Sequence, residues 1–259
     1  MAANEPGQPL HPDVVSPTDW SRNLATPTSA LAIGAHPDDV EFGCGGVLAK
    51  WAADGCVVHH LVCTDGSKGT WDTDADTVAL ATRRQDEQRE AARRLAGEQA
   101  GEVRFLEYVD GELDSDLDAR GRVARVIREL RPDVVLGHDP WKRYRLHPDH
   151  RHAGLLAVEG IVAARDPHFF RDHAVEHHRP SALLLWEADE PDHIEDVTSS
   201  LERKLEALEA HESQFESTMK AVDDAELAAF RERIRARLSA LGAPHGVDAA
   251  EVFKVITSL

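Results

Sequence analysis

Short apolar runs alternate with longer amphipathic segments along most of the chain. The apolar or β-branched runs that predict buried strands are 29–35, 56–64, 102–108, 133–137 and 182–186. The segments whose apolar spacing or composition predicts helices are 47–53, 77–95, 123–130, 149–164 and 201–208. Strands that alternate with helices indicate right-handed βαβ units. We therefore predict an α/β, Rossmann-like fold, a single domain with a mostly parallel sheet and helices on both faces.

Three stretches of the chain do not fit this alternation of strands and helices. Residues 1–28 are polar and rich in proline, and we expect an N-terminal arm followed by one domain over 29–259. The glycine-rich stretch 43–46 predicts a turn ahead of the helix that begins at 47. Residues 216–245 have a charged helical pattern to which the sequence assigns no role.

The charge balance limits the choice of partner. The chain has 47 acidic and 29 basic residues, a formal net charge of -18. Nucleic acids and phospholipid surfaces attract proteins with a positive field, so neither is expected to bind here. A neutral or cationic small molecule is compatible with this charge.

The cysteines and the apolar runs indicate a cytoplasmic protein. The three cysteines, at positions 44, 56 and 63, are odd in number and form no C-x-x-C pair, which favours a reducing compartment. No apolar run approaches the roughly 18 residues that span a membrane.

Two polar motifs directly follow predicted strands. In IGAHPDDVEFGCGG, residues 33–46, His36, Asp38 and Asp39 come after the first strand. In LHPDHRHAG, residues 146–154, His147 and His150 are three positions apart and share one side of a helix start. In open α/β sheets the ligand crevice lies at the carboxyl ends of the strands. We therefore expect the two motifs to converge there.

These residue types fit a catalytic metal site. Such a zinc site has three nitrogen or oxygen ligands and an open position. His36 and Asp39 supply two ligands, and either His147 or His150 supplies the third. Asp38 is then free as a general base, and the second histidine of the pair can stabilise a developing negative charge. Together these are the parts for hydrolysis of an amide or ester, although Asp149 also fits an ordinary helix N-cap.

AHPDDVEFGCGG closely resembles the signature of the PIG-L/LmbE-like family of zinc-dependent deacetylases, which remove the acetyl group from N-acetylglucosaminyl compounds and related amides. HPDHR at 147–151 matches the second motif of that family. TDGSKG at 64–69 and KLEALEAHESQ at 204–214 support the resemblance, which covers 29–215 with a shorter match at 250–256.

The resemblance implies a fold and a role for each matched residue. The implied ligands of zinc are His36, Asp39 and His150. Iron(II) can replace zinc at such a ligand set. Asp38 would be the general base, and His147 would stabilise the tetrahedral oxyanion. The residues implied to hold the sugar are Arg84, in RRQDEQREAARRL, and Asp110, in YVDGEL. The implied partner is a small amino-sugar substrate, and the implied fold is Rossmann-like.

Three other interpretations remain open from the sequence. Two histidines and a carboxylate also describe a non-haem iron oxygenase, but Asp38 would then have no role. A non-catalytic metal- or sugar-binding protein is the second. The third is an amidase of the same family that acts on a thiol conjugate or a natural-product glycoside. The sequence does not decide whether the chain forms a homo-oligomer.

Overall fold

The computed structural model describes residues 20–259 of the 259-residue chain. Its strands are β1 (Ser21–Arg22), β2 (Ser29–Gly34), β3 (Val57–Thr64), β4 (Ala100–Tyr108), β5 (Val134–His138), β6 (Ala182–Trp186), β7 (His193–Asp196) and β8 (Ala250–Ile256). Its helices are α1 (Asp39–Ala53), α2 (Thr77–Ala96), α3 (Leu117–Leu130), α4 (Pro148–Arg165), α5 (Leu201–Leu208) and α6 (Asp224–Gly242). No helix of this part of the chain is both long and apolar enough to cross a membrane.

The strands form one sheet in the order β1-β7-β8-β6-β5-β2-β3-β4. Among the described strands, β8 alone runs antiparallel to its neighbours, β6 and β7. The chain moves outward from β2 through β3 to β4, and then returns to the other side of β2 with β5. The order therefore reverses between β2 and β5, which is where open α/β sheets bind ligands.

Helices cover both faces of the sheet, so the α/β prediction is confirmed. Helices α3 and α4 bury one face around Leu61, Ile127 and Leu156. Helices α1, α2, α5 and α6 bury the other around Trp51 and Phe253. Because both faces are covered, the central strands β2, β5 and β6 are almost wholly apolar and buried.

The predicted turn at 43–46 is wrong, because α1 begins at Asp39 and runs through these glycines. A Cβ atom on Gly43 would lie 2.6 Å from the Trp186 ring, and one on Gly46 would lie 2.9 Å from Val197. The glycines therefore allow close packing of a helix rather than a change of direction. Strands β7 and β8 were not recognised as sheet strands from their patterns.

The structure describes only part of the predicted arm, residues 1–28. Residues 1–19 lie outside the described residues. Beyond them, β1 pairs in parallel with β7 at the edge of the sheet, where Ser21 is opposite His193. The division of the chain at residue 28 stays a prediction.

A buried ion pair joins α1 to α5 and β8. The Lys204 ammonium donates to Glu251 at 2.6 Å and to the Phe42 carbonyl at 2.8 Å. The Glu251 carboxylate also accepts the backbone N–H groups of Gly46 and Val47, each at 2.8 Å. Both side chains are at most 3% exposed, so each charge depends on the other for its stability.

We expect Lys204→Met to lower the free energy of unfolding by about 3–5 kcal/mol, because it leaves the Glu251 carboxylate buried without a counter-charge. Urea unfolding measures the loss. Lys220→Met removes an exposed lysine and is the matched control. A loss no larger than that of the control would contradict this role for the ion pair.

Candidate metal centre and active site

A pocket of about 530 Å³ opens at the carboxyl edge of the sheet. Small-molecule sites commonly have this size. The loop after β2 and the start of α1 supply one wall, and the loops after β3 and β4 supply the next. The end of β5, the start of α4 and the end of β6 complete the floor. Both polar motifs of the sequence therefore meet in one cavity, as predicted.

The three predicted metal ligands lie together in this pocket. His36 Nδ1 is 3.3 Å from Asp39 Oδ2, and His150 Nε2 is 3.4 Å from Asp39 Oδ1. One donor atom from each residue lies within 4.8 Å of the other two. Burial lowers the pKa of His150 to about 4, so its imidazole is neutral and retains a lone pair for a ligand bond at neutral pH.

His36 is oriented by carboxylates on its far side. Its Nε2 lies 3.2 Å from both Asp149 Oδ2 and Asp110 Oδ1. Burial alone would lower the pKa of His36, but hydrogen bonds to these acids raise it well above its ordinary value. Two carboxylates around Nε2 keep a proton on that nitrogen, and Nδ1 faces Asp39, where a bound metal ion would replace a proton. This carboxylate–histidine arrangement is the usual support of a metal-bound imidazole.

Asp149 supports His36 instead of capping α4. His147 occupies the N-cap position of that helix. The Asp149 carboxylate, which is fully buried, accepts from the Gly111 N–H at 2.6 Å and the Leu113 N–H at 3.3 Å. It thereby ties the loop after β4 to the imidazole of His36.

A second cluster with metal-ligating side chains lies beside the first and consists of His36, Asp110, His147 and Asp149. Its two acids already accept hydrogen bonds from backbone N–H groups, Asp110 from that of Lys68 at 3.1 Å. Their remaining contacts are to the protonated Nε2 of His36. Asp39 likewise accepts one backbone N–H, that of His36 at 2.7 Å, and its other polar neighbours are the imidazoles of His36, His138 and His150.

The surroundings of Asp39 fit a divalent cation. Three buried carboxylates line the pocket, those of Asp38, Asp39 and Asp110, and a fourth, that of Asp149, contacts His36. Buried anions need nearby positive charge. Burial alone would raise the pKa of Asp39, but electrostatic attraction and hydrogen bonds from the surrounding imidazoles of His150, His138 and His36 lower it well below its usual range. Asp39 therefore stays ionised, as a ligand must. Two imidazoles and one carboxylate next to an open pocket match the donor set of catalytic zinc.

His138, at the end of β5, completes this side of the pocket. The Trp186 indole N–H donates to His138 Nδ1 at 2.9 Å, so Nε2 carries the proton of the neutral ring. That Nε2 lies 3.3 Å from Asp39 Oδ2 and is buried without another hydrogen-bond partner among residues 20–259. His138 is thus placed to hold Asp39 rather than to act as a further ligand.

Asp38 has an unusual backbone conformation for the residue that opens a helix. Its φ is 103° and its ψ is −26°, in the left-handed region, and its side chain does not cap α1. The carboxylate points into the pocket, where Arg84 Nη2 lies 3.5 Å away. Burial raises the pKa of Asp38 to about 6. A carboxyl with that pKa can accept and return a proton near neutral pH.

The other three predicted site residues also line the pocket. His147 is exposed, and its ring centroid lies 4.6 Å from that of His36. Arg84 is buried and donates to the carbonyls of Gly66 and Pro37, which fixes the two loops around Asp38. Asp110 accepts from Lys68 and contacts His36, so it braces the site whether or not it also meets a sugar.

Several residues in or beside the pocket were not found from the sequence. Arg145 Nη1 lies 3.1 Å from His150 Nδ1 and donates to the Glu187 carboxylate at 2.7 Å. Helix α6 brings Arg237 to the pocket, so part of the unassigned stretch 216–245 forms a wall of the site. For Glu187, the one sequence signal of a role in the pocket is its position directly after β6. Arg145 and Arg237 have no local signature.

Fold and site together define an α/β enzyme with a candidate single-metal centre of two histidines and one aspartate. The PIG-L family, described as GlcNAc-PI de-N-acetylase, matches residues 31–161. A diacetylchitobiose deacetylase of Thermococcus kodakarensis is 37% identical over 188 residues, which cover 71% of this chain and 69% of that one. The chain belongs to the PIG-L family.

Two further comparisons agree with this assignment. The N,N'-diacetylchitobiose deacetylase structure from Pyrococcus horikoshii has a TM-score of 0.80 and 30% identity, and covers 95% of this chain and 87% of that one. A 1D-myo-inositol 2-acetamido-2-deoxy-alpha-D-glucopyranoside deacetylase of Rhodococcus opacus is 34% identical over 161 residues. That alignment covers 54% of this chain and about half, 55%, of the relative.

The left-handed backbone of Asp38 predicts that a glycine variant is more stable than an alanine variant, the reverse of the usual order within a helix. Glycine tolerates a φ of 103° and alanine does not, so we expect Asp38→Gly to be more stable than Asp38→Ala by about 1 kcal/mol. Urea unfolding compares them. At exposed Asp86, within α2, the alanine variant should instead be the more stable one. The same order at both positions would contradict strain at Asp38.

Proposed function

We propose that this chain is a zinc-dependent deacetylase that hydrolyses the acetamide of an N-acetylglucosamine-type compound. One observation carries the proposal: the Asp38 carboxylate is free of helix capping and shares a pocket with the donor atoms of His36, Asp39 and His150. An acid–base group next to a ligand set with an open side is the arrangement that metal-assisted hydrolysis requires.

His36, Asp39 and His150 would hold the metal. When bound, a divalent metal supplies charge that polarises a carbonyl and lowers the pKa of a water to about 7. Iron(II) suits the same ligands, and zinc is the ion that we propose. Asp149 and His138 would orient His36 and Asp39 for this purpose, through the contacts at 3.2 Å and 3.3 Å.

The remaining pocket residues transfer the protons of the reaction and stabilise the negative charge that develops. Asp38 accepts a proton from the attacking water and later returns it to the leaving amine. His147, which is exposed to the pocket, donates a hydrogen bond to the oxygen of the tetrahedral intermediate. Arg84 holds Asp38 in place and faces the substrate. No covalent bond between enzyme and substrate is needed, because water is the nucleophile.

The names of the relatives and the pocket support an amino-sugar substrate. Relatives named for the deacetylation of diacetylchitobiose and of an acetamido-glucopyranosyl inositol are 37% and 34% identical to this chain. The pocket is also lined by polar residues, Lys68, Gln214 and Arg237. Such groups can meet sugar hydroxyls, and the volume of about 530 Å³ leaves space for more than an acetyl group.

Acetate release from a panel of N-acetylglucosaminyl compounds, with metal content determined for every sample, tests the proposal. We expect Asp38→Asn to lower kcat by about 10²–10⁴-fold while metal stays bound, because only the proton acceptor is lost. His150→Ala should lose metal and activity together. Asp86→Asn, on the exposed side of α2, is the matched control and should behave as wild type.

Each of the other outcomes excludes part of the proposal. Stoichiometric metal without acetate release from any member of the panel would contradict the amino-sugar substrate. A thiol-conjugate or glycoside amide that is then hydrolysed would identify the alternative amidase. Binding of the sugars without turnover would identify a non-catalytic binding protein. Wild-type activity in the Asp38→Asn variant would exclude Asp38 as the base.

A further inference from the structure

A group of four polar side chains is buried directly beneath Asp38, and the mechanism above uses none of them. They are Glu41, His60, Gln88 and His211, and each is 0% exposed. Glu41 follows Asp38 on the first turn of α1, and Gln88 faces it from α2. Buried polar groups are costly unless their hydrogen bonds are made, so the arrangement of these bonds is informative.

The hydrogen bonds fix the orientation of the Gln88 amide. Its Nε2 group donates to Glu41 Oε1 at 2.7 Å and lies 3.0 Å from His60 Nδ1. An amide nitrogen has two hydrogens, and here both have acceptors. Glu41 is held in turn, since His211 Nε2 lies 3.2 Å from its second oxygen. The amide cannot rotate by 180° without losing these bonds.

The fixed amide presents only its oxygen to Asp38. Gln88 Oε1 accepts the backbone N–H of Asp38 at 3.0 Å. That N–H points to Gln88 while Asp38 is in its left-handed conformation, with φ at 103°. A non-glycine residue in this region is strained, and such strain persists only where the surroundings hold it.

Without this bond, a different conformation becomes favourable. An aspartate at the start of a helix ordinarily has an extended backbone, and its carboxylate accepts the N–H groups of the first turn. Asp76 and Asp116 do this at the starts of α2 and α3. For Asp38 the same choice would turn the carboxylate back onto α1 and out of the pocket.

We propose that Gln88 is a positioning residue for the catalytic base, and that Glu41 and His60 fix its amide for this role. The inference rests on the proposed function of Asp38. Gln88 lies beneath the pocket and does not line it, and it makes no contact with the His36–Asp39–His150 set. Its loss should therefore change the rate of the proton transfer and leave substrate and metal binding as they are.

The variant Gln88→Met keeps the length of the side chain and removes the acceptor and both donors. We expect kcat to fall by about 10²-fold with an unchanged KM and metal content, since a misplacement of about 1 Å at the reacting groups has this cost. Gln85→Met, three residues earlier on the outer side of α2, is the matched control and should not alter kcat.

Combination with Asp38→Ala separates positioning from a general loss of structure. If Gln88 acts through Asp38, then Gln88→Met lowers no further the residual activity of Asp38→Ala. A further loss of similar size in that background, or a loss of metal, would overturn the proposal. In that case each substitution would raise the activation free energy by the same amount in either background, as independent substitutions do.

A second pair of variants tests the support of Gln88. Glu41→Gln keeps an acceptor for Gln88 Nε2 and should retain a kcat close to that of wild type, whereas Glu41→Met removes the acceptor and should behave as Gln88→Met. Equal losses in both Glu41 variants would overturn this role.

A crystal structure of Gln88→Met gives an answer that does not depend on turnover. We expect Asp38 to have a negative φ in this variant and its carboxylate to cap α1. A retained φ near 103° with the carboxylate in the pocket would overturn the proposal. Should wild type release no acetate, the proposed function fails, while this structure still decides whether Gln88 holds Asp38.

Discussion

Two adjacent carboxylates, Asp38 and Asp39, are buried in one pocket, and the structure must keep their charges apart. Asp38 has a left-handed backbone and lies beside Arg84, whereas Asp39 lies among the imidazoles of His36, His138 and His150. The imidazoles then stabilise the charge of Asp39, whereas burial raises the pKa of Asp38 to about 6. Environments that separate two such pKa values suit the roles that we propose, a metal ligand at Asp39 and a proton acceptor at Asp38.

The fold supplies these environments through the ends of its central strands. The reversal of strand order between β2 and β5 leaves a crevice, and α1 and α4 begin on either side of it. His36 and Asp39 come from one side, and His147 and His150 from the other. Asp149 joins the two sides, because its carboxylate contacts His36 from the first turn of α4. The candidate metal site and the packing of α4 therefore involve the same few residues.

The sequence predicted the main strands, most helices and the meeting of the two polar motifs in one pocket, because these follow from local periodicity and from positions after strands. It did not predict that α1 passes through Gly43 and Gly46, since the cause is contact with distant Trp186 and Val197. It also could not assign Gln88 or Arg145. Gln88 accepts the Asp38 N–H and Arg145 lies 3.1 Å from His150 Nδ1, and no local pattern encodes such contacts.

The most direct test of this account is the position of the metal. Crystals grown with zinc, measured on both sides of the zinc absorption edge, locate the ion by its anomalous signal. The account predicts one strong peak in contact with His36 Nδ1, Asp39 and His150 Nε2, and with Asp38 beside it but not bound. A peak among Asp110, His147 and Asp149, or none near His36, would contradict it.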